Sequence, residues 1–181
     1  MPTPLQYATE VKGVVTKDQA IAVFHDHDFF MEVDPNMMTF KADVEPQGGK
    51  LHDLPPEIQA VKTGDTRCYE VTDRVPGVAL FSKLLPGLST TTIYYQITNT
   101  KDGVFMFLQA PLGVTEERRW VAEDASGAGG GVGVRIVEYV TIFCSRLLYG
   151  TIKGQQDQNW KEVHTKYARK MGGEPGTQSA S

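Results

Sequence analysis

The chain has 181 residues, of which 40% are hydrophobic and 22% charged, and its formal charge is -4; this is the composition of one globular domain. Lysine and arginine are scattered and no basic run offers a face for phosphates, so the sequence argues against nucleic-acid binding. It has no run of roughly 18 apolar residues, which argues against membrane insertion, and two distant cysteines, Cys68 and Cys144, favour a reducing, cytoplasmic setting without disulfides.

The N-terminal part predicts a strand followed by two short helices. Residues 4–15 form the strand. A helix begins after Thr16, because Thr16 and Gln19 have the spacing of a capping box, in which each side chain bonds the backbone of the other residue. The apolar positions beyond it do not keep one helical period, so we expect a break near residues 27–28 and an end before Pro35.

Alternating apolar and polar residues predict a sheet in the middle of the chain. A half-buried strand covers residues 37–44, with Met38 and Phe40 on its inner face. A long Gly- and Pro-rich connection follows at residues 45–65. Further strands joined by turns come after it, including a hairpin whose Asp-Gly turn lies at residues 101–103.

The C-terminal part predicts one long strand and one long helix. The strand covers residues 132–143 and is dense in β-branched and aromatic residues. A Gly-rich turn precedes this strand. The helix follows the strand, carries Leu148, Ile152 and Val163 at helical spacing and ends near Met171. Residues 173–181 are rich in Gly and Ser, and we expect them to form a disordered tail.

This order of elements predicts an α+β fold for a single domain over residues 1–172. About six to seven turn-linked strands form an antiparallel sheet, and a sheet with one apolar face curls around a helix to bury that face. The long helix is the partner for this sheet. Because a curved sheet that grips a single helix cannot fill all the space between them, we expect an internal cavity.

The order of elements resembles the helix-grip fold of the START-like (SRPBCC) superfamily, which includes birch-pollen-allergen-like proteins, lipid-transfer domains and aromatic polyketide cyclases. More narrowly, four motifs resemble an uncharacterised fungal family of START-like proteins. They are FHDHDFFMEVDP (24–35), CYEVTDRVP (68–76), DGVFMFLQAPLGV (102–114) and the Trp that ends EERRW (116–120). The resemblance implies a cavity for a hydrophobic ligand, and it does not imply a reaction.

The candidate site residues are those that periodicity places toward the sheet's inner face or the helix's buried stripe. Glu116, Arg118 and Trp120 share one face of a strand, and an inward Arg118 requires an acidic partner such as Glu116 or Glu138. A one-residue shift in register would turn these charges outward, so both orientations stay open. We predict the catalytic residues Tyr95, Arg118 and Glu138. The predicted ligand-binding residues are Tyr69, Ile93, Met106, Trp120, Ile152, Gln155, Asn159 and Val163.

We predict neither a metal nor a cofactor. In the run His25-Asp26-His27-Asp28 the two histidines point away from each other on a helix, so a structural or helix-terminal role is favoured. His164 is predicted on the outer side of the final helix. The Gly-rich loop at 126–131 does not match a dinucleotide motif, because a strand follows it, and the chain has no G-x-S-x-G elbow.

Two functions fit these expectations. The first is a cofactor-independent cyclase, including a pericyclase of the Diels-Alder type, that acts on a terpenoid or polyketide in fungal secondary metabolism. An apolar pocket can hold a flexible substrate in its reactive conformer without any nucleophile. The second is non-catalytic binding or transfer of a lipid or sterol in the same cavity. In both cases the partner is an apolar small molecule, and the sequence leaves the oligomeric state open.

Overall fold

The computed structural model describes residues 4–74, 89–125 and 133–181. The strands in these ranges are β1 (Leu5–Lys12), β2 (Met37–Ala42), β3 (Arg67–Arg74), β4 (Thr90–Thr100), β5 (Gly103–Ala110), β6 (Val114–Asp124), β7 (Val134–Phe143) and β8 (Glu174–Ala180). The α-helices are α1 (Lys17–Phe24), α2 (His27–Val33), α3 (Pro56–Gln59) and α4 (Arg146–Lys170), and short 3-10 turns cover Gln47–Gly49 and Pro111–Gly113. The expected Gly-rich turn at 126–131 lies outside the described residues.

The strands form one antiparallel sheet in the order β2-β3-β4-β5-β6-β7-β1-β8. Strands β2 to β7 each lie beside their neighbours in sequence, even across the long connection between β2 and β3, and β1 pairs with β7. The prediction of an α+β fold with an antiparallel sheet and a long C-terminal helix is therefore confirmed. The eight strands exceed the six or seven expected.

The additional strand is β8, where the sequence predicts a disordered tail, and this prediction is wrong. β8 pairs with β1 along its length, and Gln6 and Ser181 exchange two backbone hydrogen bonds of 3.0 and 2.9 Å. Most side chains of β8 are exposed or half-buried. The strand therefore depends on backbone pairing with an open sheet edge, and hydrophobic periodicity cannot detect it.

The two short helices form as predicted, with their break two residues earlier than expected. Thr16 and Gln19 make the capping box, through bonds of 3.2 and 2.8 Å. The helix then stops at His25, and Asp26 begins α2 by accepting a hydrogen bond from the Phe29 amide at 3.1 Å. An aspartate at this position satisfies an amide that would otherwise lack a partner, so it fixes the break before His27.

The inner face of β2 differs from the prediction. Met38 is 49% exposed, whereas Met37 and Phe40 are half-buried and pack on the core. The register between β2 and β3 shifts between Met37 and Thr39. Such an irregularity inserts one residue and reverses the faces on one side of it, which is why Met38 points outward despite the alternating sequence.

Helix α4 supplies the second layer of the core. Its buried positions are Leu148, Ile152, Trp160, His164, Tyr167 and Ala168. They pack with residues of β1, β6 and β7 and, near the C-terminus, with α1 and α2. The helix ends at Lys170 with Met171 as its C-cap, near the predicted end, because Gly172 follows with a φ of +85° that favours glycine. In the described part of the chain, no helix is long and apolar enough to cross a membrane.

Candidate functional site

A cavity lies between α4, the C-terminal end of α2 and the inner face of the sheet. It has two adjoining compartments, of about 90 and 190 Å³. The residues that line both compartments are Asp34, Asp73, Tyr95, Arg118, Gln156 and Asn159. All six side chains are polar, and we call this boundary between the compartments the polar belt. The rest of the wall contains both polar and apolar side chains.

Arg118 faces the cavity and is held by two carboxylates. Its guanidinium lies 2.9 Å from Glu116 Oε2, 3.0 Å from Glu138 Oε1 and 3.0 Å from Gln156 Oε1. The side chains of Glu116 and Glu138 are only 8% and 1% exposed. The structure thus settles the orientation that the alternation of β6 leaves open: its charges face inward. Burial lowers the pKa of Arg118, but the two carboxylates raise it further, so the net shift is upward and the group stays cationic.

His164 extends this buried network toward β1, and its predicted place on the outer side of the helix is wrong. The side chain is 0% exposed. Its Nε2 lies 3.4 Å from Glu138 Oε2, and its Nδ1 lies 3.0 Å from Thr9 Oγ1. Both ring nitrogens therefore have partners, which is the condition under which a polar side chain can occupy a core position. The ring also packs against Trp120 at a centroid distance of 4.7 Å.

Asp73 provides an acidic group that the sequence analysis missed. It is 6% exposed, and its Oδ1 has no hydrogen-bond partner among the described residues. Burial, and then the charge of Asp34, raises its pKa to about 7. The alternation of inward and outward residues along β3 indicates that Asp73 is buried, because it falls on the same face as the buried residues Tyr69 and Val71.

Two further polar groups reach the cavity from β4 and α4. Tyr95 lines both compartments, and burial together with the charges of Asp73 and Asp34 raises its pKa well above the ordinary value. Its hydroxyl therefore keeps its proton at physiological pH and is a donor. Gln155 lines the larger compartment, and its Nε2 has no partner in the described residues.

The cavity gathers all but two of the predicted site residues. Trp120, Glu138 and Val163 line the smaller compartment, and Ile93, Ile152 and Gln155 line the larger one, while Tyr95, Arg118 and Asn159 belong to both. Tyr69 and Met106 line neither compartment. Both are 1% exposed and belong to the hydrophobic core. At these positions the inward face of β3 and β5 is filled by core packing, so the two compartments do not include them, and their contact with a ligand stays a prediction.

The run His25-Asp26-His27-Asp28, which spans the break between α1 and α2, has structural contacts. His25 Nε2 lies 2.9 Å from the Gly103 carbonyl oxygen, and His27 lies 2.7 Å from the Tyr69 hydroxyl and 2.8 Å from Asn99 Oδ1. These bonds attach the helices to the sheet. Across residues 4–74, 89–125 and 133–181, no group of three or more His, Cys, Asp or Glu side chains is arranged to hold a metal ion.

Fold and cavity together define the class: an α+β protein in which an antiparallel sheet and a long C-terminal helix border a cavity with a buried arginine-carboxylate network. Within this class the chain belongs to the family described as domain of unknown function DUF7053, whose model matches residues 3–172. No curated protein matches the sequence.

Two solved structures share the fold. A conserved protein from Geobacillus kaustophilus is 8% identical, with a TM-score of 0.57 over 93% of this chain and 95% of that chain. The protein TTHA0849 from Thermus thermophilus is 11% identical, with a TM-score of 0.54 over 92% of this chain and 96% of that chain. At these identities the likeness concerns the fold alone.

Proposed function

We propose that the cavity binds an apolar small molecule and that the protein is a cofactor-independent cyclase, which folds a terpenoid or polyketide precursor of fungal secondary metabolism into its reactive conformer. One observation carries the proposal: Arg118 is fixed by Glu116 and Glu138 at the wall of a cavity, and its Nε–H has no partner among the described residues. The Nε–H of a guanidinium held in this way can donate a hydrogen bond to an oxygen of the ligand.

The donors can act on a carbonyl group of the substrate. Arg118 and Tyr95 line the same two compartments, and both keep their protons at physiological pH. Donors that are oriented before the substrate arrives stabilise charge as it builds on a carbonyl oxygen, without a cost of reorganisation. A pericyclic step moves only bonding electrons, so neither group has to transfer a proton.

The apolar part of the wall would order the substrate. The larger compartment includes Ile93, Leu108, Val114 and Ile152. A flexible chain that is confined against these side chains loses conformational freedom on binding, before the reaction. Ring closure then needs less additional ordering, so the wall and the donors contribute to the same step.

We also propose that the DUF7053 family is a branch of the START-like superfamily with a helix-grip fold. Its support is the order of elements, in which a strand and two short helices precede a run of antiparallel strands and a long C-terminal helix. The position of the cavity between that helix and the sheet adds to this support.

The second candidate is non-catalytic binding or transfer of a lipid or sterol. The apolar wall of the larger compartment favours it, since such a wall holds an unreactive ligand equally well. In this case the polar belt only orients the ligand, and the protein purified from its own host should carry it in stoichiometric amount.

The deciding experiment compares linear polyene precursors that contain a carbonyl group, with and without the protein, by mass spectrometry of the products. We expect cyclisation faster than the spontaneous reaction, and a loss of about 100-fold for Tyr95→Phe, since this is the typical effect of removing one oriented donor. Tyr94→Phe is the matched control, because Tyr94 precedes it on the opposite face and bonds Glu70. Cyclisation no faster than the spontaneous rate would rule out the enzyme, and an unaltered ligand found by native mass spectrometry would indicate a carrier.

A further inference from the structure

The described residues that line the cavity carry more negative than positive charge. Four of them are acidic, Asp34, Asp73, Glu116 and Glu138, whereas two carry a guanidinium group, Arg118 and the exposed Arg74. Arg118 is already bonded to two of these carboxylates. Its single charge leaves that network negative, and Arg74, which is exposed to solvent, makes no ion pair with Asp34 or Asp73 among the described residues.

Asp73 and Asp34 form the unbalanced end of the cavity. One oxygen of Asp34 accepts a bond from the Asn36 amide at 2.8 Å. Asp73 is 6% exposed, lines both compartments and has an oxygen with no partner in the described residues. A buried carboxylate without a partner costs stability, because it gives up its bonds to water and gains none in return. A ligand that donates a hydrogen bond to this oxygen would offset that loss of stability.

From this arrangement we propose that the ligand carries a basic amine on its apolar skeleton, and that its ammonium group binds the carboxylates of Asp73 and Asp34. The inference rests on the proposed function, since it names the class of molecule that the cavity takes. An ammonium group donates to the unpartnered oxygen of Asp73 and restores the balance of charge. A fatty-acid anion would meet these carboxylates instead, so we expect it to bind more weakly than the amine.

The test uses three probes with the same chain and different head groups: octylamine, octanol and octanoate. Both tryptophans of the chain, Trp120 and Trp160, line the smaller compartment, so intrinsic fluorescence reports on its occupation. At pH 8 the amine is protonated and Asp73 is ionised, since this pH lies above the pKa of about 7 of the carboxyl. We expect octylamine to bind about tenfold more tightly than octanol, with octanoate the weakest.

A pair of variants assigns the preference to Asp73. Asp73→Asn keeps the size of the side chain and removes its charge, and we expect it to lower octylamine affinity about tenfold while octanol affinity stays within about twofold. Asp43→Asn makes the same change at an exposed site that pairs with Arg67 outside the cavity, and we expect no effect. Asp34→Asn serves as the second variant, with a smaller loss expected, should Asp73→Asn not fold.

The outcomes distinguish a failure of the amine site from a failure of the proposed ligand-binding function. Tighter binding of octanol or octanoate than of octylamine would overturn the inference and leave the apolar cavity in place. An amine preference that Asp73→Asn and Asp34→Asn both retain would also overturn it. If none of the three probes changes the fluorescence or raises the melting temperature at millimolar concentration, the binding cavity itself is refuted, and the amine site with it.

Discussion

Glu138 on β7 and His164 on α4 face each other in the interior of the protein. The two groups are 3.4 Å apart, and their side chains are 1% and 0% exposed. On its other side Glu138 contacts Arg118 at 3.0 Å. One carboxylate thus connects the long helix, the sheet and the cavity, so changes in any of its partners should affect stability as well as ligand binding.

The first prediction concerns Arg118→Met. The change leaves Glu116 and Glu138 buried without their cation, and removal of one partner from a buried pair costs about 3–5 kcal/mol. We expect a loss of this size in the free energy of unfolding, measured by urea denaturation at pH 7. Arg135→Met is the control, because Arg135 pairs with Glu123 at 3.0 Å where both side chains are more than a third exposed. Its expected cost is below about 1 kcal/mol. Equal losses in the two variants would contradict the prediction.

The second prediction concerns Asp73 and pH. Its pKa of about 7 in the folded protein lies above the ordinary value of 3.8. Between these pH values the folded protein binds more protons than the unfolded chain, so the free energy of unfolding falls as pH rises from about 4 to about 7. Each pKa unit corresponds to roughly 1.4 kcal/mol, which makes this effect on the order of 4 kcal/mol.

Asp73→Asn should remove that dependence. At pH 8 we expect the variant to be more stable than the wild type, by less than the full amount because the new amide also lacks a partner. The other polar groups of the belt are Asp34, Tyr95, Arg118 and the amides of α4, and none of them changes in this variant. Urea denaturation at pH 5 and pH 8 measures the slope. A slope equal to that of the wild type would refute the role assigned to Asp73.

The third prediction concerns His27, whose effect has the opposite sign. Burial, partly offset by the bond to Asn99, lowers its pKa below the ordinary 6.5; the charges of Arg67 and His25 act in the same direction, and Asp28 opposes them. The unfolded chain therefore binds the proton more readily, and stability present above pH 6.5 is lost as the pH falls below it. We expect His27→Gln to be less stable than the wild type at pH 7 and to lose less on acidification to pH 5. A pKa above 6.5 for this ring, measured by NMR titration, would contradict the prediction.

The fourth prediction concerns glycines in and after α4. Gly154 is a helical position where an added methyl group meets nothing within 4 Å. We expect Gly154→Ala to raise the free energy of unfolding by about 0.5–1 kcal/mol, since alanine loses less backbone freedom in a helix. Gly172 has a φ of +85°, so Gly172→Ala should lower it by about 1 kcal/mol. Thermal melts of both variants test the pair, and shifts of the same sign would be inconsistent with it.

Local patterns with one strong period were sufficient to predict most of the fold. The capping box at Thr16, the apolar strand β5 and the end of α4 near Met171 each depend on residues close in sequence. The edge strand β8 does not, because its pairing partner β1 is more than 160 residues away and its own side chains carry no apolar face. Backbone pairing at a sheet edge leaves little trace in a sequence.

The sequence predicts which site residues share one face of a strand or helix. It does not predict which of these side chains contact one another. The face shared by Glu116, Arg118 and Trp120 was visible in the sequence, but its direction depends on sheet register. His164 is predicted on the outer side of the final helix, without an obvious partner, whereas its partners Thr9 and Glu138 come from two distant strands. A polar residue is buried when such partners converge, and convergence is a property of the tertiary structure.

The pairing of β1 with β8 places Gln6 and Ser181 side by side at one margin of the sheet, where they bond through their backbones. Among the described residues that line the cavity, none belongs to β1 or β8. A short linker from β8 to β1, with the chain opened instead at the exposed Gly48-Gly49 turn, would therefore give a circularly permuted domain whose cavity is built from the same residues in a different chain order.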